Sequence, residues 1–207
     1  MQVKTKAIVI STLKFQEKSL LVTCYTASDG IKKDMVHNVF SSKKSNQKIA
    51  YFQPLTILEV EAFHKNKGTL EYFKEIRLAY PYHSIPNSIL ESTIAIFLSE
   101  ILHHAIHEEE QNEDLFKYLE TALQWLDTHN ETSNFHLILM LEITKFLGFY
   151  PDTSDQDLPF FEMNEGVFSL FQAISCLSEH ESFLLKKLID LRLDSDQKVF
   201  HVIERQI

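Results

Sequence analysis

The apolar residues of this chain change their spacing near residue 80, from the alternation of strands to the three-and-four rhythm of helices. A chain of 207 residues with such a break reads as α+β, in two parts. Before the break, β-branched and apolar runs fall at 4–11, 20–26, 31–39, 55–63 and 69–78. Ser28-Asp29-Gly30 and Asn66-Lys67-Gly68 separate runs as turns, because glycine accepts the positive φ of a tight hairpin. Five strands at short spacing predict a small closed β-barrel over residues 1–80.

After the break the expectation is an all-α helical domain, 81–207. Asn87 or Ser88 caps a helix whose face carries Leu90, Ile94, Phe97, Leu98, Ile101, Leu102 and Ala105. A second helix, at 113–127, aligns Leu115, Phe116, Leu119, Ala122, Leu123 and Leu126. The stretch 134–147 is apolar all round, which predicts a central helix stopped by Gly148 and Pro151. Residues 152–161 read as a loop. Ser178-Glu179-His180-Glu181 matches a capping box and predicts a helix to about residue 191, with a last helix from about 194.

Charge divides at the same place. The net charge is −9, yet residues 1–80 hold 13 Lys and Arg against 7 Asp and Glu, whereas residues 81–207 hold 7 against 22. The first part is +6 and the second −15, an asymmetry that points to a nucleic-acid-facing part joined to one with another task. The segment Ser41-Ser42-Lys43-Lys44-Ser45-Asn46-Gln47-Lys48 is a basic loop between strands. Lys43, Lys44 and Lys48, with Lys32, Lys33, Lys14 and Lys18, are the candidate DNA-binding residues, neutralising phosphates without reading sequence. Phe40, Tyr51 and Phe52 flank the loop and could stack on bases, but core packing is the favoured reading for them. The alternative for the whole chain is a protein-binding scaffold whose barrel binds no nucleic acid, suggested by the acidic second part.

Catalytic patterns are missing from the sequence. Gly30, Gly68, Gly148 and Gly166 are isolated, so there is neither a phosphate-cradling P-loop nor a GxGxxG turn, and no GxSxG or HExxH motif occurs. The expectation is a protein that is not an enzyme and holds no cofactor. His103, His104 and His107 lie near Glu100 and Glu108, but a second Glu-x-x-His copy is absent, so a surface histidine cluster rather than a metal site is expected. Cys24 and Cys176 are the only cysteines, and no disulfide framework is implied. No stretch approaches a membrane span and the first residues lack a signal-peptide pattern, so a cytoplasmic, nucleoid-associated protein is expected.

Read in order, Lys6-Ala7-Ile8-Val9-Ile10, the Gly30 turn, Ser42-Lys43-Lys44-Ser45 and Leu55-Thr56-Ile57-Leu58-Glu59-Val60-Glu61 resemble the N-terminal OB-fold domain of the RecO family. Ala95-Ile96-Phe97-Leu98-Ser99-Glu100-Ile101-Leu102 and Phe146-Leu147-Gly148-Phe149-Tyr150-Pro151 resemble the family's helical part. The resemblance implies a recombination mediator that binds ssDNA and dsDNA and anneals complementary strands. It also implies partnership with RecR and with single-stranded-DNA-binding protein (SSB), so that RecA is loaded. Two departures stand out. Many family members carry a four-Cys zinc site, but 151–166 has no cysteine here, so no zinc is expected. The family pattern continues past Ile207, so this chain is expected to lack the family's last helix.

Overall fold

The computed structural model describes residues 2–37, 39, 49–63, 73–107, 110–130 and 132–194. They gather into two compact units, Met1–Thr128 and His129–Ile207.

The first unit is built on a five-stranded antiparallel sheet: β1 (Gln2–Phe15), β2 (Ser19–Thr26), β3 (Gly30–Val36), β4 (Ile57–Phe63) and β5 (Phe73–Leu78). The order is β3-β2-β1-β4-β5. The long β1 makes this possible, pairing with β4 from Gln2 to Ile8 and with β2 from Ala7 to Phe15. Its register shifts between Val9 and Ser11, where the extra residue Ile10 lets the strand bend. The expected closed barrel is not what forms. Among the described residues the edge strands β3 and β5 approach each other but share no ladder. Both are short, seven and six residues, and leave an open seam.

One sheet face carries Ala7, Val9, Val22, Cys24, Leu58 and Val60, which pack with Val39 and Phe52 into one buried cluster. The opposite face is covered as well, by two helices of the same unit, α1 (Ile89–Ala105) and α2 (Glu113–Thr128). Tyr25, fully buried on β2, lies 6.0 Å from the Phe116 ring of α2. Ala7, Ile8, Val9 and Ile10 are therefore all buried, and a strand covered on both faces reads as a continuous apolar run. Burying each of the Ile8, Val9 and Ile10 side chains is worth about 1.5–3 kcal/mol.

Helix α1 starts at the Ser88 cap, whose side chain accepts the Glu91 N–H. The segment before it is held by Asp127, near the end of α2. Its carboxylate accepts the backbone N–H groups of His83, Ser84 and Ile85 at 2.8–3.0 Å. Leu55, buried at φ 60°, is fastened from both sides: its N–H donates to Val9 at 2.8 Å, and its carbonyl accepts the Tyr82 hydroxyl at 2.9 Å. Burial, and then the Asp127 carboxylate, push the Tyr82 hydroxyl far above its usual pKa, so it remains a donor.

The second unit holds α3 (Phe135–Leu147), a hairpin of β6 (Phe160–Glu162) and β7 (Val167–Ser169), and α4 (Glu179–Asp190). Gly148 ends α3 with φ 81°, the left-handed cap that glycine accepts most easily. Ser178 and Glu181 form the expected capping box of α4. The hairpin corrects the expectation of an all-α second part. Phe160 pairs with Ser169, Phe161 with Phe168 and Glu162 with Val167 around a turn at Gly166, φ 70°. Three-residue strands are too short to show a period of two, although Phe161 and Phe168 face each other with ring centroids 5.0 Å apart. The helix expected from about residue 194 falls outside the described residues.

Candidate nucleic-acid interface

The seven lysines singled out from sequence divide into three groups. Lys43, Lys44 and Lys48 lie outside the described residues, as does Phe40. Lys14, at the end of β1, Lys18, in the β1–β2 turn, and Lys33, on β3, are exposed. Lys32 is 8% exposed, because it stands opposite Cys24 on the inner face of the sheet, one alternation from the buried Asp34. Burial, and then the Asp34 carboxylate, push the Cys24 thiol up, which leaves it protonated and unreactive.

The other N-terminal cations among the described residues are matched by carboxylates. Lys4 pairs with Glu59 at 3.1 Å, Lys6 with Glu120 at 2.6 Å, Lys74 with Glu61 at 2.9 Å and Arg77 with Glu75 at 2.6 Å. Exposed pairs of this kind add little stability, but they cancel the field locally. They sit on the β1–β4–β5 side of the sheet. No carboxylate among the described residues pairs with Lys18, in the β1–β2 turn beside the exposed Glu17, or with Lys33, midway along β3. The Val39 N–H donates to the Lys18 carbonyl at 2.9 Å. Val39 is thus held beside that turn.

Phe52 is 3% exposed and belongs to the sheet's inner cluster, with Tyr51 packed against it. Core packing accounts for both. Among the described residues of this region the exposed aromatic is instead Phe15, which runs of β-branched residues and charge counts could not have identified, because nothing in the sequence tells where the helices stop covering β1.

The histidine-rich stretch ends α1. His103 Nδ1 lies 3.5 Å from Ser11 Oγ on β1, and its ring meets that of His104 at 5.4 Å. Among the described residues no three His, Cys, Asp or Glu side chains are grouped to hold a metal ion. A second feature unforeseen from sequence is an open groove of about 480 Å³ lined by Pro54, Leu78, Tyr80, Pro81, Tyr82 and Ile96. Its residues come from three separate stretches of chain, and no local pattern announces them. No helix among the described residues is long and apolar enough to cross a membrane.

These features define a class: a two-unit α+β protein whose N-terminal antiparallel sheet carries exposed lysines at one end. Residues 1–82 match the family described as Recombination protein O N terminal, and residues 86–191 match Recombination protein O C terminal. The chain belongs to the RecO family. It is 67% identical over 207 residues to a DNA repair protein RecO of Flavobacterium johnsoniae, covering 100% of this chain and 87% of that relative. A Flavobacterium psychrophilum protein of the same name is 66% identical over 208 residues, with the same coverage. Its counterpart in Christiangramia forsetii is 40% identical over 200 residues, covering 96% of this chain and 84% of the relative.

Proposed function

We propose that this protein is a recombination mediator in DNA repair, not an enzyme. It binds ssDNA and dsDNA without sequence specificity, anneals complementary strands and, with RecR, helps load RecA onto SSB-coated ssDNA. Its place of work is the nucleoid-bearing cytoplasm. The observation that carries the reading is the uneven pairing of cations. Exposed Lys18 and Lys33, on the β1–β2–β3 side of the sheet, pair with no carboxylate among the described residues, while the described cations on the β1–β4–β5 side are matched by carboxylates. Lysines that pair with phosphates release counterions from the nucleic acid, which gives affinity for any sequence.

The open sheet supports an OB-type reading. A long β1 shared by two strand pairs, with β3 and β5 approaching across a seam, is the layout of a partly open five-stranded Greek-key barrel. Lys43, Lys44 and Lys48 complete the proposed set of phosphate partners. Lys32, nearly covered, contributes to the field rather than by direct contact, so its replacement is expected to affect stability more than binding.

The test is a salt titration of DNA affinity with the full chain. Wild-type protein should bind unrelated sequences alike, with affinity falling steeply as salt rises. Lys43→Ala with Lys44→Ala should weaken all of them equally and flatten the log–log slope by about 0.7–0.9 for each phosphate that is no longer neutralised. Salt-independent or undetectable binding would refute the reading and favour a protein-binding scaffold. Co-purification with RecR, and stimulation of RecA assembly on SSB-coated strands, test the remaining part.

A further inference from the structure

Beyond the sequence-derived lysines, the end of the sheet presents an apolar strip. On the β1–β2–β3 face that meets the helices, cross-strand registers place residues in rows. Ser11, Thr23 and Lys33 form one row; Leu13, Leu21 and Met35 form the next; Phe15 and Ser19 form the last. Rows two residues apart are separated by about 7 Å. Helical cover fades along them. Thr23 is buried and Ser11 touches His103 of α1, but Leu13 is 63% and Phe15 39% exposed, with Leu21 and Met35 half-buried between.

We infer that this strip, Phe15–Leu13–Leu21–Met35, is a stacking platform for unpaired bases. It gives the protein a preference for single strands that its lysines alone would not. The inference rests on the DNA-binding reading above and adds to it the part of the nucleic acid that is recognised.

Charge complementarity selects the occupant. Lys33 borders the strip on one side and Lys18 lies at its tip, both exposed. Among the described residues the strip is otherwise edged by the hydroxyls of Ser11, Ser19 and Thr23, with the His103 ring against Ser11 and the His37 ring against Ser19. Glu17, in the turn, is the one exposed carboxylate of the hairpin. Most carboxylates of the sheet stand on β4 and β5 and are engaged by Lys4, Lys74 and Arg77. An apolar surface edged by cations suits a polymer of flat rings on an anionic backbone. In a duplex those rings are already stacked on each other and turned inward, so only an unpaired base can lay its face on Phe15. The flanking lysines serve both forms, since phosphates are exposed in each.

The measurement is fluorescence anisotropy of the full chain with a labelled oligo-thymidine and with a blunt duplex of equal length, at one salt concentration. Phe15→Leu keeps apolar bulk and removes the ring, whereas Phe15→Tyr keeps the ring. Leu is expected to weaken single-strand affinity at least about fivefold and leave duplex affinity unchanged, while Tyr retains the wild-type preference. Thermal unfolding of each variant checks that the hairpin is intact, and Leu13→Ala, which removes a more exposed side chain, gives a second route to the same loss. If wild-type protein binds both DNA forms but Phe15→Leu and Leu13→Ala leave the single-strand preference unchanged, the platform is refuted and the lysine reading stands. A strip whose loss affects only association with a protein gives that same refutation. If wild-type protein binds neither DNA, the DNA-binding reading itself fails.

Discussion

Replacing Asp127 tests how the segment entering α1 is held. The Asp127 side chain is 5% exposed, and its two oxygens accept three consecutive backbone N–H groups, from His83, Ser84 and Ile85. Hydrogen bonds to a charged group contribute about 1.5–3 kcal/mol each, which sets an upper bound of about 5–9 kcal/mol for three. Water replaces part of that loss, because His83 is exposed and Ser84 half-buried. We expect Asp127→Ala to destabilise the first unit by about 3–5 kcal/mol, a large fraction of the roughly 5–15 kcal/mol that a typical protein has. Asp127→Asn keeps one acceptor oxygen for the same N–H groups, and should cost about 1–2 kcal/mol. Trp125, the only tryptophan, stands two residues away on α2. Its fluorescence during urea unfolding therefore reports on this unit, and far-UV circular dichroism checks residual helix. An alanine variant within about 1 kcal/mol of wild type would show that the three N–H groups find water at little penalty, and would refute the clamp.

In the second unit, Ser178→Ala removes the acceptor of the Glu181 N–H and should destabilise α4 by about 1 kcal/mol, measured by urea unfolding followed by circular dichroism. The Ser175 hydroxyl, and then the Glu165 N–H, hold the Glu162 carboxyl below its usual range. A depressed carboxylate contributes stability above its unfolded pKa and loses it as pH falls through the lower folded value. Amide exchange at Glu165, corrected for intrinsic rates, should therefore gain local opening in acid in wild type and lack that pH dependence in Glu162→Gln. Native protein should react with a thiol reagent at Cys176, half-exposed, and spare Cys24, buried and held protonated; rapid loss of both thiols without unfolding would contradict the closed inner face of the sheet.

Much of the architecture was legible because it depends on neighbours in sequence. The Ser88 and Ser178 caps, the Gly148 stop, the Gly30 turn and the helical faces at Leu98, Leu102, Leu119 and Leu123 are short-range patterns, and each recurs in the structure. The charge division and the order of motifs across both parts were equally legible, and carried the family resemblance. The β6–β7 hairpin was not, since two strands of three residues show no period and are held by contacts such as Phe161 N–H to Ser182 Oγ at 2.9 Å.

The candidate site shows the same boundary. The sequence by itself determined where cations are plentiful, but not which are available, because burial and pairing depend on residues distant along the chain. Lys6 meets Glu120 of α2, and Lys32 turns inward because β3 aligns it with Cys24. Likewise Phe52 and Phe15 are both aromatic residues near basic ones, and composition cannot rank them. Only the tertiary structure decided that Phe52 fills the inner cluster while Phe15 emerges beyond the helices, since exposure is set by how far a neighbouring element reaches rather than by the residue itself.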